Sequence, residues 1–310
     1  MDSRKTLDGR SSAMMVVICM IWGLQQVVLK AAAADVSPIM QVALRSGIAA
    51  VLVGLLMLRQ KEPFGVALGN WRPGLLVGTL FALEFLLVGE ALRYSSASHV
   101  VVFLYTAPIF AALGLHWRLP AERLGLVQWL GIAVAFAGIV VTFMGRHQGG
   151  GAEPANVLRG DFLALLAGVS WAATTVAICC SALATVSASQ TLLYQLVSAF
   201  VLLLIAAFVM GQSAIKPTPL ALGSLIFQSL VVSFASFLAW FWLLRRYLAS
   251  RLGVFSFMTP LFGIAFGVWL LDEPLEASFV MGAIFVLIGV VLVSGHGLLE
   301  SGLRRLSRST

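Results

Sequence analysis

The chain has 310 residues, 60% of them apolar and only 11% charged. Soluble globular domains carry about 25% charged residues. A mean hydropathy of +0.99 therefore excludes an ordinary water-soluble globule, and the net charge of +7 is a topology signal rather than a nucleic-acid patch.

Apolar runs of about bilayer-spanning length occupy 13–33, 38–58, 74–92, 98–117, 124–144, 161–181, 189–210, 220–243, 251–271 and 278–295. Ten spans of about 20 residues use roughly 200, which leaves short connections and no room for a soluble domain. The first run follows Arg4, Lys5 and Arg10 and precedes Ala31–Ala34, as a signal peptide would. It is long for a cleaved apolar region and is kept as span 1. It carries Trp22, Gln25 and Gln26. Span 2 opens at Ser37-Pro38 and holds Arg45; span 3 holds Glu84 and, near its end, Glu90. Glu90 is expected at the interface or paired with Lys30. Span 4 has Tyr105 and Pro108 near its middle and His99 and His116 near its ends, where interfacial roles are expected. Span 6 carries Trp171, Thr174 and Thr175, span 7 Tyr194 and Gln195, span 8 Ser233, Ser236, Trp240 and Trp242, and span 9 Pro260. Trp117 and Trp269 stand at span ends as interface anchors. Cys19, Cys179 and Cys180 lie in apolar runs and read as small core residues. Glu122 and Glu273 precede spans 5 and 10, where a carboxylate favours the helix start.

With the N-terminus inside, inner segments hold fourteen basic residues: Arg4, Lys5, Arg10, Arg59, Lys61, Arg72, Arg118, Arg123, Arg245, Arg246, Arg251, Arg304, Arg305 and Arg308. Outer segments hold five: Lys30, Arg93, Arg146, Arg159 and Lys216. This bias predicts cytoplasmic termini.

The chain also repeats itself. Pro108 matches Pro260 and Trp117 matches Trp269, both 152 residues apart; Glu122 matches Glu273, Gly131 matches Gly282 and Gly138 matches Gly289, all 151 apart. Trp22 matches Trp171, and Leu92-Arg93 matches Leu244-Arg245. Five spans per copy is an odd number, so the copies must be inverted. The expected fold is an all-α polytopic membrane protein, ten transmembrane helices as two inverted five-helix repeats. The expected units are 1–148 (first repeat), 149–160 (linker), 161–297 (second repeat) and 298–310 (cytoplasmic tail). Inverted repeats are an architecture of secondary transporters, whose site lies between the halves near the midplane.

Several motifs then resemble a known family. They are Trp22-Gly23, Ser37-Pro38 with Arg45, Ala91-Leu92-Arg93-Tyr94-Ser95-Ser96-Ala97, Pro108, and Glu122-Arg123-Leu124. Pro260, Asp272-Glu273-Pro274-Leu275 and Gly282 double them. The chain is similar to the EamA-type, ten-helix branch of the drug/metabolite transporter superfamily. The resemblance implies a bacterial inner-membrane exporter of small metabolites, often amino acids, working by alternating access. Gln195 stands near the Arg45 counterpart and Ser236 at the Glu84 counterpart, so a charged site is not expected to be two-fold symmetric.

Arg45 and Glu84 are charged residues well inside apolar runs, about 10 and 12 Å from the outer span ends at the α-helical rise. Charge in hydrocarbon is costly unless paired or wet. An Arg45–Glu84 ion pair is expected, with Arg45 meeting a substrate carboxylate and Glu84 an ammonium group or a coupling proton. The expected substrate-binding set is Trp22, Gln25, Arg45, Glu84, Tyr105, Trp171, Thr175, Tyr194, Gln195, Ser236 and Trp240, with Pro108 and Pro260 as hinges. Cation–π recognition of hydrophobic cations is the alternative cargo reading. Asp272, Glu273 and Glu276 lack a neighbouring His, and no HExxH, P-loop, GxSxG or CxxC occurs, so no enzyme, metal, cofactor or ATP site is expected. Gly149-Gly150-Gly151 has no strand or helix start to make it a phosphate cradle, and Arg304-Arg305-Leu306-Ser307-Arg308 is a basic tail for anionic headgroups. Expected partners are a small-molecule substrate, the lipid bilayer and protons as a candidate coupling ion, with no nucleic acid. The small-residue faces of spans 5 and 10 leave monomer and homodimer both open.

Overall fold

The computed structural model of the protein describes residues 9–62, 71–118, 123–144, 154–246, 256 and 258–306. Glu122, Gly149-Gly150-Gly151, the basic residues Arg4 and Lys5 and the last residues of the tail lie outside them. The described chain is helical, apart from one isolated antiparallel bridge between Val36 and Ile215. Seven helices are long and apolar enough to cross a membrane, and three shorter apolar helices complete the ten. The spans are Gly9–Ala31, Pro38–Gln60, Trp71–Tyr94, Ala97–Leu104 with Ala107–Arg118, Leu126–Met144, Pro154–Cys179, Ala188–Val209, Pro219–Ile226 continuing to Arg246, Met258–Leu271 and Ala277–Leu306. They are numbered 1 to 10 below.

Two ends differ from expectation. Span 6 starts at Pro154 rather than 161, and span 10 runs on to Leu306 rather than ending near 295. Proline is tolerated in the first helical turn because its missing N–H has no partner there. Beyond Val293, Leu299, Leu303 and Leu306 keep helical spacing, so the period persists after the apolar run stops.

Helix starts follow local chemistry. Ser37, Ser96, Ser187 and Thr218 each accept a hydrogen bond from a backbone N–H three residues on, capping spans 2, 4, 7 and 8. Ser37 and Ser187 cap corresponding helices of the two copies. Span 4 breaks at Tyr105-Thr106, and Pro108 sits in the first turn of the restarted helix. Proline removes the N–H that would have bonded to Leu104. Thr106 Oγ1 donates to Phe103 O at 2.6 Å and satisfies one carbonyl at the break. Span 6 approaches the break closely, since a β-carbon at Gly168 would lie 3.0 Å from both the Phe103 and the Leu104 carbonyl oxygens. Pro260 is buried on span 9, the third residue of Met258–Leu271, and most of the expected first part of that span, 251–255 and 257, lies outside the described residues. Span 8 widens into a π-helical stretch, Phe227–Ser236.

The packing exchanges halves as an inverted repeat requires. Span 1 packs on span 9 and span 6 on span 4; span 3 packs on spans 6 and 7, and span 8 on spans 1 and 2. Spans 2 and 7, 4 and 9, and 5 and 10 pair across the centre. Spans 5 and 10 spend their glycines on each other. A β-carbon at Gly138 would meet Gly282 O at 2.6 Å, and one at Gly131 would meet Gly289 O at 2.8 Å. These small-residue faces therefore serve helix packing inside one chain.

The cysteine expectation holds only for Cys19, which is buried; Cys179 and Cys180 are exposed at the end of span 6. Trp117 and Trp269 are exposed at span ends, as expected of anchors.

Among the described residues, the two ends of the bundle differ. At the end that carries Ser37, the 1–2 and 7–8 connections are stitched together. Val36 bridges Ile215, Lys216 N donates to Asp35 O at 3.0 Å, Ser37 Oγ donates to Gln212 O at 2.8 Å, and Thr218 Oγ1 donates to Asp35 Oδ2 at 2.6 Å. At the end that carries Ser187, a 3-10 turn, Ala182–Thr185, links spans 6 and 7, and Ser187 Oγ donates to Glu62 Oε2 at 3.3 Å.

Candidate functional site

A cavity of about 450 Å³ lies between the halves. Spans 1, 3, 4, 6, 7 and 8 line it, and it reaches from the span 4 break to the 183–188 connection at the Ser187 end. No residue of the 31–37 or 211–218 connections lines it, so the stitched end closes it. Its size lies within the range of small-molecule sites, roughly 300–1,000 Å³.

Eight of the expected residues line this space: Trp22, Gln25, Glu84, Tyr105, Trp171, Thr175, Gln195 and Trp240. They come from spans 1, 3, 4, 6, 7 and 8 and are distant in sequence. The break in span 4 puts Tyr105 there, where its ring meets Trp171 edge-on at 5.2 Å. Trp22 meets Trp240 edge-on at 5.5 Å and Phe237 at 6.0 Å. Aromatic side walls thus face a few amide and hydroxyl groups, Gln25, Gln26, Gln195, Thr174 and Thr175 among them.

Glu84 is the carboxylate of the cavity wall. It is only 5% exposed, and its Oε2 has no hydrogen-bond partner among the described residues. A buried, unsatisfied carboxylate oxygen costs about 1–3 kcal/mol or more.

The expected Arg45–Glu84 ion pair is not formed. Arg45 Nη1 donates to Gln228 Oε1 at 2.5 Å, and the guanidinium lies 4.5 Å from the Phe85 ring centroid. Gln228 Nε2 in turn donates to Gln25 O at 2.9 Å. The Arg45 and Glu84 charges still interact through space. The physical reason for the missing contact is a competing acceptor: Gln228, on the π-helical stretch of span 8, presents its Oε1 to the guanidinium. Arg45 does not line the cavity.

Two other expected residues also stand back from it. Tyr194 packs on span 3, where a β-carbon at Gly74 would lie 2.9 Å from its ring. Ser236 accepts from Trp22 Nε1 at 2.8 Å and donates to Val232 O at 2.5 Å, so it positions the Trp22 ring. Sequence reasoning missed Phe81, Phe85 and Phe237 on the wall and Gln228 behind it. Only Gln228 left a signal, as an amide within an apolar run.

Charged residues near the Ser37 end also depart from expectation. Glu90 pairs with Arg93 at 2.9 Å and accepts from Gln212 Nε2 at 2.6 Å, not from Lys30. Lys30 Nζ donates to the Leu92 and Ser95 carbonyls instead. Glu273 caps span 4 rather than its own span 10. Its carboxylate accepts from Ala97 N at 2.6 Å, Ser98 N at 2.9 Å and Ser98 Oγ at 2.5 Å. The left-handed turn at Asp272, with φ of 50°, swings it there. His99 is not interfacial; it is buried, with Nδ1 3.0 Å from Asp161 Oδ2. His116 accepts from Leu124 N at 2.9 Å and meets Trp129 edge-on.

Known proteins point the same way as the geometry. The EamA-like transporter family matches residues 10–144 and again 158–295. The uncharacterized transporter YoaV of Bacillus subtilis is 23% identical over 283 residues, covering 89% of this chain and 94% of its own length. A probable amino-acid metabolite efflux pump of Escherichia coli K12 is 25% identical over 298 residues, covering 92% of this chain and 95% of its own. A crystal structure with a TM-score of 0.65, 16% identical, covers 91% of this chain and 95% of its own and shares the fold. Matched in two blocks that take in nearly all of its spans, the chain belongs to the EamA-like transporter family.

Proposed function

We propose that this membrane transporter exports amino acids or closely related amino-bearing metabolites by alternating access, across the inner membrane of a bacterium. The observation that carries the reading is the unsatisfied carboxylate of Glu84 in an aromatic-walled cavity. An ammonium group would restore its hydrogen bonding and lie beside ring faces that attract cations. The apolar walls suit a substrate side chain. Gln25, Gln26, Gln195, Thr174 and Thr175 are the candidates to meet a substrate carboxylate, because Arg45 is engaged by Gln228.

Arg45 and Glu84 together contribute no net charge, so a zwitterion enters without adding charge to a low-dielectric site. That favours amino acids over bare cations. The name of the Escherichia coli relative supports the same class. The basic-residue bias supports a cytoplasmic location for both termini and the Ser187 end. The cavity then faces the cytoplasm with its Ser37 end shut, the state in which an exporter loads.

Flux of labelled amino acids into proteoliposomes tests this, run beside a panel of fluorescent cations. Saturable flux of an amino-acid subset, lowered at least tenfold by Glu84→Gln, is expected. Cation flux without amino-acid flux would replace the substrate class.

A further inference from the structure

Gln228 is fully buried on the π-helical stretch of span 8 and does not line the cavity. Both ends of its amide are used. Oε1 accepts from Arg45 Nη1 of span 2 at 2.5 Å, and Nε2 donates to the Gln25 carbonyl of span 1 at 2.9 Å. The second bond fixes the sense of the first. A flipped amide would turn its N–H groups on a guanidinium that only donates, and its oxygen on a carbonyl that only accepts. Span 1 therefore aims an acceptor at Arg45.

The cation held in this way has a stronger acceptor close by. Arg45 is 1% exposed, and its Nε has no hydrogen-bond partner among the described residues. Its guanidinium lies 4.5 Å from the centroid of the Phe85 ring, and Phe85 follows Glu84 on span 3. The two charges act on each other, yet Glu84 Oε2 also has no partner among the described residues. A guanidinium and a carboxylate in contact form paired, charge-assisted hydrogen bonds, stronger than a bond to a neutral amide. One donor and one acceptor are thus left apart that a direct contact would satisfy, and Gln228 holds the arrangement that separates them. In the first copy Leu76 stands 152 residues before Gln228, so that copy has no such amide, just as it is the second copy that lacks the charges of Arg45 and Glu84.

We propose that Gln228 is a positioning residue of the binding site: it withholds Arg45 from Glu84 and so keeps the carboxylate open to a substrate's ammonium group. This role rests on the transport reading, in which an amino-bearing substrate is the ligand of Glu84. A guanidinium and an ammonium compete for the same oxygens. Affinity therefore falls by the fraction of molecules in which Arg45 already occupies Glu84. Held beside Phe85, Arg45 balances the Glu84 charge through space without occupying it.

The first arm of the test needs no substrate, so its failure and a failure of the amino-acid reading are distinguishable. Full-length protein in lipid nanodiscs is treated with a hydrophobic carbodiimide, and the rate of Glu84 modification is read by mass spectrometry. Gln228→Met keeps an unbranched side chain and removes the acceptor; Gln228→Leu is the second variant should the first not fold. Contact with Arg45 shields the carboxylate, so modification should slow about fivefold or more relative to the unaltered protein. In an Arg45→Gln background the same substitutions should not slow it, a dependence that loosened packing at residue 228 would not produce. In the second arm, amino-acid flux into proteoliposomes, KM should rise about tenfold with kcat little changed. Glu84 modified at an unchanged rate in the folded variants, or slowed equally without Arg45, overturns the proposal, as does an unchanged KM in a protein that carries amino acids. Slowing that depends on Arg45 in a protein with no amino-acid flux would sink the substrate reading and leave the placing of Arg45 by Gln228 standing.

Discussion

Glu84 and Asp161 are both carboxylates buried in membrane-spanning helices, yet their surroundings assign them different work. Asp161 is held by Ser95 and His99. Glu84 keeps an oxygen without a partner in the wall of a cavity. Glu84→Gln should lower flux at least tenfold while thermal unfolding shifts little, because the change removes a charge rather than a packed bond. Arg45 predicts a different result. Arg45→Ala leaves Gln228 Oε1 without its donor in a buried site, at a cost of about 1–3 kcal/mol. Unfolding temperature should fall clearly, and with the Glu84 charge no longer balanced the substrate profile should move from zwitterions towards cations; a profile unchanged in the folded variant would mean that Arg45 does not set the charge of the site. The sequence alone located both Arg45 and Glu84 because charge inside an apolar run is visible in one dimension. It misjudged their contact because the competing acceptor, Gln228, is 183 residues from Arg45 along the chain.

At the scale of elements, glycine faces and the 9–10 turn carry the predictions. A β-carbon at Gly282 would lie 1.9 Å from Thr142 Oγ1 and 2.6 Å from Gly138 O. Gly282→Val should therefore lower the unfolding temperature, by roughly 1–3 kcal/mol or more of overpacking. Gly267 is tighter in consequence: its β-carbon would sit 2.5 Å from Glu273 Oε2 and 2.3 Å from Ser98 Oγ. Gly267→Ala should displace the cap from span 4, and faster amide hydrogen exchange at Ala97 and Ser98 would register it. The matched glycines were legible as a repeat, and the structure adds that the two copies pack on each other. The reach of Glu273 to span 4 was not legible, because it depends on a left-handed turn at Asp272 rather than on spacing. The break in span 4 was legible from Pro108; its exact place, two residues earlier, depends on Tyr105 and Thr106.

At the scale of the whole molecule, span number and the internal repeat were legible because five-span periodicity repeats the same side chains at 151 and 152 residues. The asymmetry between the ends was not. It arises from pairing of the 1–2 and 7–8 connections, which have no common motif. A disulfide between Val36→Cys and Ile215→Cys should form readily, since residues opposed in an antiparallel bridge have Cα atoms about 4.5–5.5 Å apart. Oxidation should stop flux and reductant should restore it. Undiminished flux in the oxidised protein would mean that this end does not open during transport.

The central claim is that substrate meets Glu84 in the cavity. Modification of Glu84 by a hydrophobic carbodiimide, read by mass spectrometry with and without a transported amino acid, tests it most directly. The account predicts that Glu84 is modified in the empty protein and protected as amino-acid concentration rises through its KM, while an amino acid that is not carried gives no protection. Modification at an unchanged rate in saturating substrate would contradict it.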